Sequence, residues 1–248
     1  VPYTSVHEHP FVQAILKESV EVGRVSGYDP VRDDEYPPLD ELQFYIVRVG
    51  YAVAHTLTWV DQLHQSVLFI GDFGYGRRLR DEGVNRSHHL IFNVENYLVR
   101  LQSIYDRLLQ LTNAVFHLCI SDELVNHSLI VSNLRVDRTK VPQLLKAVRK
   151  TIQGRAEDRN AIVHKHSYMD PKLRRLELLY MHTEETWRPK RPEMTYKRLC
   201  HVRSQQMRQV TAEKKTEFGA LNAALVQALL PLLTELHSQY ELHKKRLA

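Results

Sequence analysis

The chain has 248 residues, 43% hydrophobic and 25% charged, with 9 Gly and 10 Pro, which excludes collagen-like, wholly disordered and disulfide-scaffold classes. Lys and Arg outnumber Asp and Glu by 34 to 29, a net charge of +5. No apolar run reaches the ~18–20 residues of a membrane span, no charged-then-apolar leader opens the chain, and Cys119 and Cys200 suit a reducing compartment, so a cytoplasmic protein with no membrane partner is expected.

In chain order, His9-Pro10 opens a predicted helix to about Val25, with Phe11, Ile15 and Val20 as its apolar positions. An acidic, proline-bearing stretch follows, from Asp29-Pro30 to Pro37-Pro38, and reads as a surface arm. From Leu39 the residues Leu42, Ile46, Val49, Val53, Leu57, Val60 and Leu63 recur every three or four positions, so a long helix is predicted to end by Gly71. Gly71 to Arg78 is a glycine-rich turn; no strand precedes it and no Gly-Lys-Ser/Thr follows, so it is no phosphate-loop fingerprint. Ser87 reads as an N-cap. Val94, Leu98, Leu101, Tyr105, Leu108, Thr112, Val115 and Cys119 then keep a bundle-core spacing.

A short helix is predicted around His127–Asn133. Another starts at Val141-Pro142 with Leu145, Val148 and Ile152 as its inner stripe and loosens at Gly154. Asp170-Pro171 starts a helix predicted to reach Trp187. After the break at Arg188–Pro192, a helical pattern runs from about Glu193 almost to the end, with Gly219 and Pro231 as its weak points. Strand signals are absent. The fold expected is all-α, a helical bundle with a long C-terminal helical extension. It divides into an N-terminal helix and acidic linker (1–38), the bundle (39–187) and the extension (188–248).

The positive charge is concentrated. Residues 135–165 hold nine basic and three acidic side chains, and residues 188–217 repeat that balance, leaving the rest of the chain net acidic. Two basic segments suit a polyanion, although a basic run is also the ordinary make-up of a solvated helix face.

Within the first segment lies Arg159-Asn160-Ala161-Ile162-Val163-His164. With 22 Arg and 14 His, composition alone predicts roughly 1.2 Arg–His pairs at this spacing, and roughly 0.04 once Asn must follow the Arg. Ile162 and Val163 are expected to bury one face of the helix. The arrangement resembles the HEPN family (higher eukaryotes and prokaryotes nucleotide-binding), whose hallmark is Arg, a polar residue, three further residues and His on a helix of an all-α bundle. In HEPN toxins a Tyr often stands two residues past the His; here His166 holds that place and Tyr168 follows, a departure from the subgroup paired with a nucleotidyltransferase.

The resemblance implies a metal-independent endoribonuclease that leaves a 2′,3′-cyclic phosphate, with a toxin, stress or phage-defence role. Catalytic residues would be Arg159, Asn160 and His164: an imidazole moves the proton, a planar guanidinium meets the charge building on the phosphate, and the amide assists. Arg155, Lys150, Lys165 and His166 are expected to hold the RNA backbone. Five residues along a helix rotate by ~500° and rise ~7.5 Å, leaving Arg159 and His164 ~140° apart, so a homodimer with a composite active site is expected. An inhibitory antitoxin or sensor protein is a further possible partner. The alternatives are a non-catalytic RNA- or nucleotide-binding module and a helical protein-interaction domain. The pairs His7/His9, His88/His89 and His164/His166 have no third ligand at metal-site spacing, so neither a metal nor another cofactor is expected.

Overall fold

A computed structural model describes residues 3–74, 77–164, 170–189 and 191–248. Among them there is no strand. The described residues form eleven α-helices: α1 (Thr4–His7), α2 (Pro10–Ser26), α3 (Glu41–Phe69), α4 (Arg77–Asp81), α5 (Arg86–Val115), α6 (His127–Val131), α7 (Leu134–Asp137), α8 (Val141–Gln153), α9 (Ala156–His164), α10 (Pro171–Tyr180) and α11 (Tyr196–Leu247). The protein is all-α with a long C-terminal helix, as its sequence pattern predicts.

Local chemistry sets most of the boundaries. The His9 ring accepts from the Phe11 N–H ahead of Pro10, and α2 ends at Gly27 with φ +79°, a left-handed turn that glycine adopts without strain. Asp40 and Gln43 cap α3 reciprocally, each side chain accepting from the other's backbone N–H at 2.7 and 3.1 Å. At α5 the cap is Asn85 and not Ser87: the Asn85 side-chain Oδ1 accepts from the backbone N–H of Ser87 and His88, and Ser87 itself is buried. The α5 stripe from Val94 to Val115 is buried throughout. Cys119 leaves the pattern because the helix stops at Val115 and the backbone turns left-handed at His117 and Cys119 (φ +48° and +56°).

Three further expectations change. Val20 is exposed, and Val12 and Val22 are buried in its place. α10 stops at Tyr180, short of Trp187, because Thr183 and Thr186 exchange hydroxyl–backbone hydrogen bonds and the Trp187 indole donates to the Met194 carbonyl at 2.7 Å. α11 runs unbroken through both Gly219 and Pro231. Pro231 and Gln227, whose carbonyl Pro231 cannot satisfy, both lie on the exposed side, where water can replace the missing donor. By length and composition alone α11 is apolar enough to cross a membrane, its most apolar 18-residue window averaging a hydropathy of 1.4. Leu225, Val226, Leu229, Leu232, Leu233 and Leu236 in this stretch form a buried stripe.

The chain forms two compact units, and α3, α5 and α11 each contribute residues to both. The first comprises Val1–Gln62, Leu101–Gly154 and Asn222–Ala248. Its core holds Phe11, Tyr45, Leu108, Val148, Leu232 and Tyr240. The Tyr45 and Tyr240 rings stack, and Glu18 on α2 binds both the Tyr240 hydroxyl and the Lys244 ammonium. The second unit comprises Leu63–Arg100 and Arg155–Leu221. Here Leu90, Val94, Leu173, Leu176 and Val210 are buried around a stacked pair, Tyr97 and Phe218, whose ring centroids are 3.8 Å apart. The Tyr97 hydroxyl donates to the Phe218 carbonyl.

That pair anchors the second unit, so Phe218→Ala is expected to cost roughly 3–5 kcal/mol of stability in urea denaturation. A loss below about 1 kcal/mol would show the pair to be peripheral.

Candidate functional site

The Arg-Asn-x-x-x-His segment forms α9, between the Gly154 break and the residues preceding α10. Its first turn carries Glu157 and Asp158 and its last carries His164, the order the helix dipole favours. Arg159 is half-buried, while Asn160 and His164 are exposed. The Arg159 guanidinium donates from Nη1 to the Asn160 Oδ1 at 3.1 Å. The amide therefore fixes the guanidinium, and its own N–H₂ group remains a donor. The expected burial of Ile162 and Val163 does not occur: Ile162 is half-buried and Val163 is 47% exposed.

What holds α9 is charge. Arg155, immediately before the helix, pairs with Asp158 at 3.0 Å and with Glu217 on α11. Glu217 also meets the Lys214 ammonium at 3.2 Å, and Lys214 meets Asp170 at 2.8 Å. The Lys214 side chain is only 8% exposed. Asp170 caps α10 as well, accepting from the backbone N–H of Lys172 and Leu173. Five charged groups thus form one chain of contacts from the first turn of α9, through α11, to the start of α10.

Burial pushes the Asp170 carboxyl up, but the hydrogen bond and charge of Lys214, with the two backbone N–H groups, outweigh it and hold it below the usual carboxylate value. A carboxyl depressed by folding adds stability that is complete above its ordinary value of 3.8 and is lost as pH falls through the folded value. Asp170→Asn keeps a cap oxygen and removes the charge, so it is expected to cost about 1–3 kcal/mol at pH 7. Thermal melts should show the gap from wild type narrowing as pH falls from 4 towards 2; an unchanged gap would contradict the assignment.

The expected RNA-holding residues are not in equivalent settings. The Arg155 guanidinium is held by two carboxylates. Lys150 is exposed on α8, in the first unit, whereas α9 belongs to the second. Lys165 and His166 lie outside the described residues. Asp170, Lys214 and Glu217 were not identified from sequence. The Asp-Pro start of α10 marks Asp170 as a cap, but no local signal announces its pairing with a lysine on another helix. Among the described residues, no three His, Cys, Asp or Glu side chains are grouped as a metal site would need.

Comparison with curated proteins and with solved structures gives no match. A protein-family model does match: the Cthe2314-like HEPN family, over residues 51–218. The matched span contains α9 and the whole charged network that holds it. With two-thirds of its length covered by that model and an all-α architecture, the chain belongs to the HEPN family.

Proposed function

We propose that the protein is a metal-independent endoribonuclease acting in growth arrest, stress or phage defence, with Arg159, Asn160 and His164 as its catalytic residues. The observation that carries this reading is a half-buried guanidinium with an exposed amide and imidazole on a short helix that is anchored by ion pairs, in a chain of the HEPN family. An imidazole takes the proton of a ribose 2′-hydroxyl as its oxygen attacks the adjacent phosphorus. The 5′-oxygen departs and is protonated, leaving a 2′,3′-cyclic phosphate and a 5′-hydroxyl. Arg159 meets the extra negative charge on the phosphate, and Asn160 keeps its guanidinium in place.

One copy supplies one such imidazole, on a different side of the helix from Arg159. The reading therefore takes two copies, packed through their α9 helices, to provide one imidazole as base and another as acid. The exposure of Val163 beside His164 supports such a pairing. Arg155 acts here as a positioning residue and not as an RNA contact, because its charge is already shared between Asp158 and Glu217. Lys150, exposed on α8, keeps its assignment to the RNA backbone in this reading, as do Lys165 and His166 on sequence grounds alone.

RNA incubated in EDTA with wild type, Arg159→Ala and His164→Ala tests the assignment. Each substitution is expected to lower cleavage at least 100-fold with an unchanged circular dichroism spectrum. Cleavage persisting in both variants removes the catalytic assignment. Salt-sensitive RNA binding with no product from wild type supports the non-catalytic module instead. In cells, induced wild type is expected to arrest growth and His164→Ala to relieve the arrest.

A further inference from the structure

The N-cap of α2 is an imidazole, and its hydrogen bonds fit one protonation state only. His9 Nδ1 accepts the Phe11 backbone N–H at 3.2 Å, so that nitrogen carries no proton. The ring proton is then on Nε2, which lies 3.0 Å from the Thr234 hydroxyl oxygen on α11. That hydroxyl donates onward to the Leu230 carbonyl, leaving its oxygen to accept from His9. One neutral imidazole therefore starts α2 and clips that start to α11. An imidazolium carries a proton on both nitrogens. It would lose the cap and set a positive charge at a helix N-terminus, where the dipole opposes it.

A row of rings continues from this clip across the first unit. Phe11 lies 5.6 Å from His237 on α11 and 5.9 Å from Tyr240; Tyr240 stacks on Tyr45 at 5.5 Å, and Tyr45 on His117 at 5.4 Å. His243, 8% exposed, lies against Tyr45 and Phe116. The charges facing these rings are mostly positive. His9 faces His237. His117 faces Arg48 and Arg135, with Glu41 opposing, and His243 faces Arg246, Arg135 and His117. The nearby acids are engaged elsewhere: Asp61 with His7, Glu18 with Tyr240 and Lys244, and Glu241 with Lys244 while 4.0 Å from His237. Burial first, and these neighbours second, hold His9, His117 and His243 below the usual histidine value of 6.5.

We propose that α2 and the end of α11 form a histidine latch, closed while these imidazoles are neutral and opened by mild acid. The opened chain binds more protons than the closed one just below pH 6.5, so the seam is fully stable above that value and weakens as pH falls beneath it. A charged His117 would gain from the face of the Tyr45 ring, but burial with Arg48 and Arg135 outweighs that gain. The window is separate from that of Asp170, which titrates below 3.8 and belongs to the second unit. The inference does not depend on α9 being catalytic.

Amide hydrogen exchange of the full chain at pH 7.5 and 5.5, expressed as protection factors, tests it. Acid is expected to lower protection at least tenfold in the first two turns of α2 and in residues 236–247, and to leave residues 90–98 within twofold. His9→Asn supplies a cap oxygen that does not titrate. It should keep α2 protected at pH 7.5 and remove most of the loss at pH 5.5, whereas His9→Ala should leave the first turn poorly protected at both. His117→Asn/His243→Phe should flatten the response of residues 236–247. Nitrogen NMR on wild type gives a second reading: His9 should be the Nε2–H tautomer at pH 7.5. An Nδ1–H tautomer overturns the cap. Equal α2 protection at the two pH values, or the same acid loss in these non-titrating variants as in wild type, overturns the latch.

Discussion

A lysine ammonium removed from water has to be met by negative charge, and the Lys214 side chain, 8% exposed, meets two carboxylates. Asp170 answers it from the N-cap of α10; Glu217 answers it from one turn further along α11 and passes the link on to Arg155. Arg155 in turn holds Asp158 in the first turn of α9. Each bond in this series is conditional on the next, because a group left alone there would be a partly buried charge without a partner. Such networks add little net stability relative to apolar packing, but they tolerate few alternative arrangements. Their value here is geometric: they fix where α9 begins and where α10 begins.

The consequence for function follows from what α9 lacks. Most helices of this size are held by a buried apolar stripe, which commits one face to the core. None of the described residues 157–164 is buried, and Val163 and His164 face outward. Anchored at one end by ion pairs, α9 can present its guanidinium, amide and imidazole to solvent or to a second copy. The second unit therefore uses its basic residues in two ways. Lys214 and Arg155 are consumed in structure, whereas Arg208 and Lys215, from the same stretch of α11 as Lys214, form no ion pair among the described residues and line a cavity. Net charge by segment does not separate these uses; only pairing does.

Much of the architecture was legible because its signals are local. The recurrence of apolar residues from Val94 to Val115, and of Leu145, Val148 and Ile152, marks helix faces that are buried as read. Glycine and proline placement located the breaks at Gly154 and Asp170-Pro171. Reading failed where a competing local contact decides. Asn85 outcompetes Ser87 as the α5 cap, and the Thr183–Thr186 exchange stops α10 early. Pro231 was expected to weaken α11, but the Gln227 carbonyl that it leaves without a donor lies on the wet side. The site was legible in part. The Arg159–His164 spacing could be read directly, whereas the pairings of Arg155 with Glu217 and of Lys214 with Asp170 join residues distant in sequence. Ile162 and Val163 misled because apolar residues on a short helix need not face the core when ion pairs do the anchoring.

The central claim is that the Lys214 network, and not apolar packing, holds the motif helix. Amide hydrogen exchange on Lys214→Gln tests it most directly. The account predicts at least tenfold faster exchange across residues 157–164 and the first turn of α10, with protection across Leu101–Val115 and Leu145–Ile152 unchanged. Equal protection of residues 157–164 in variant and wild type would contradict it.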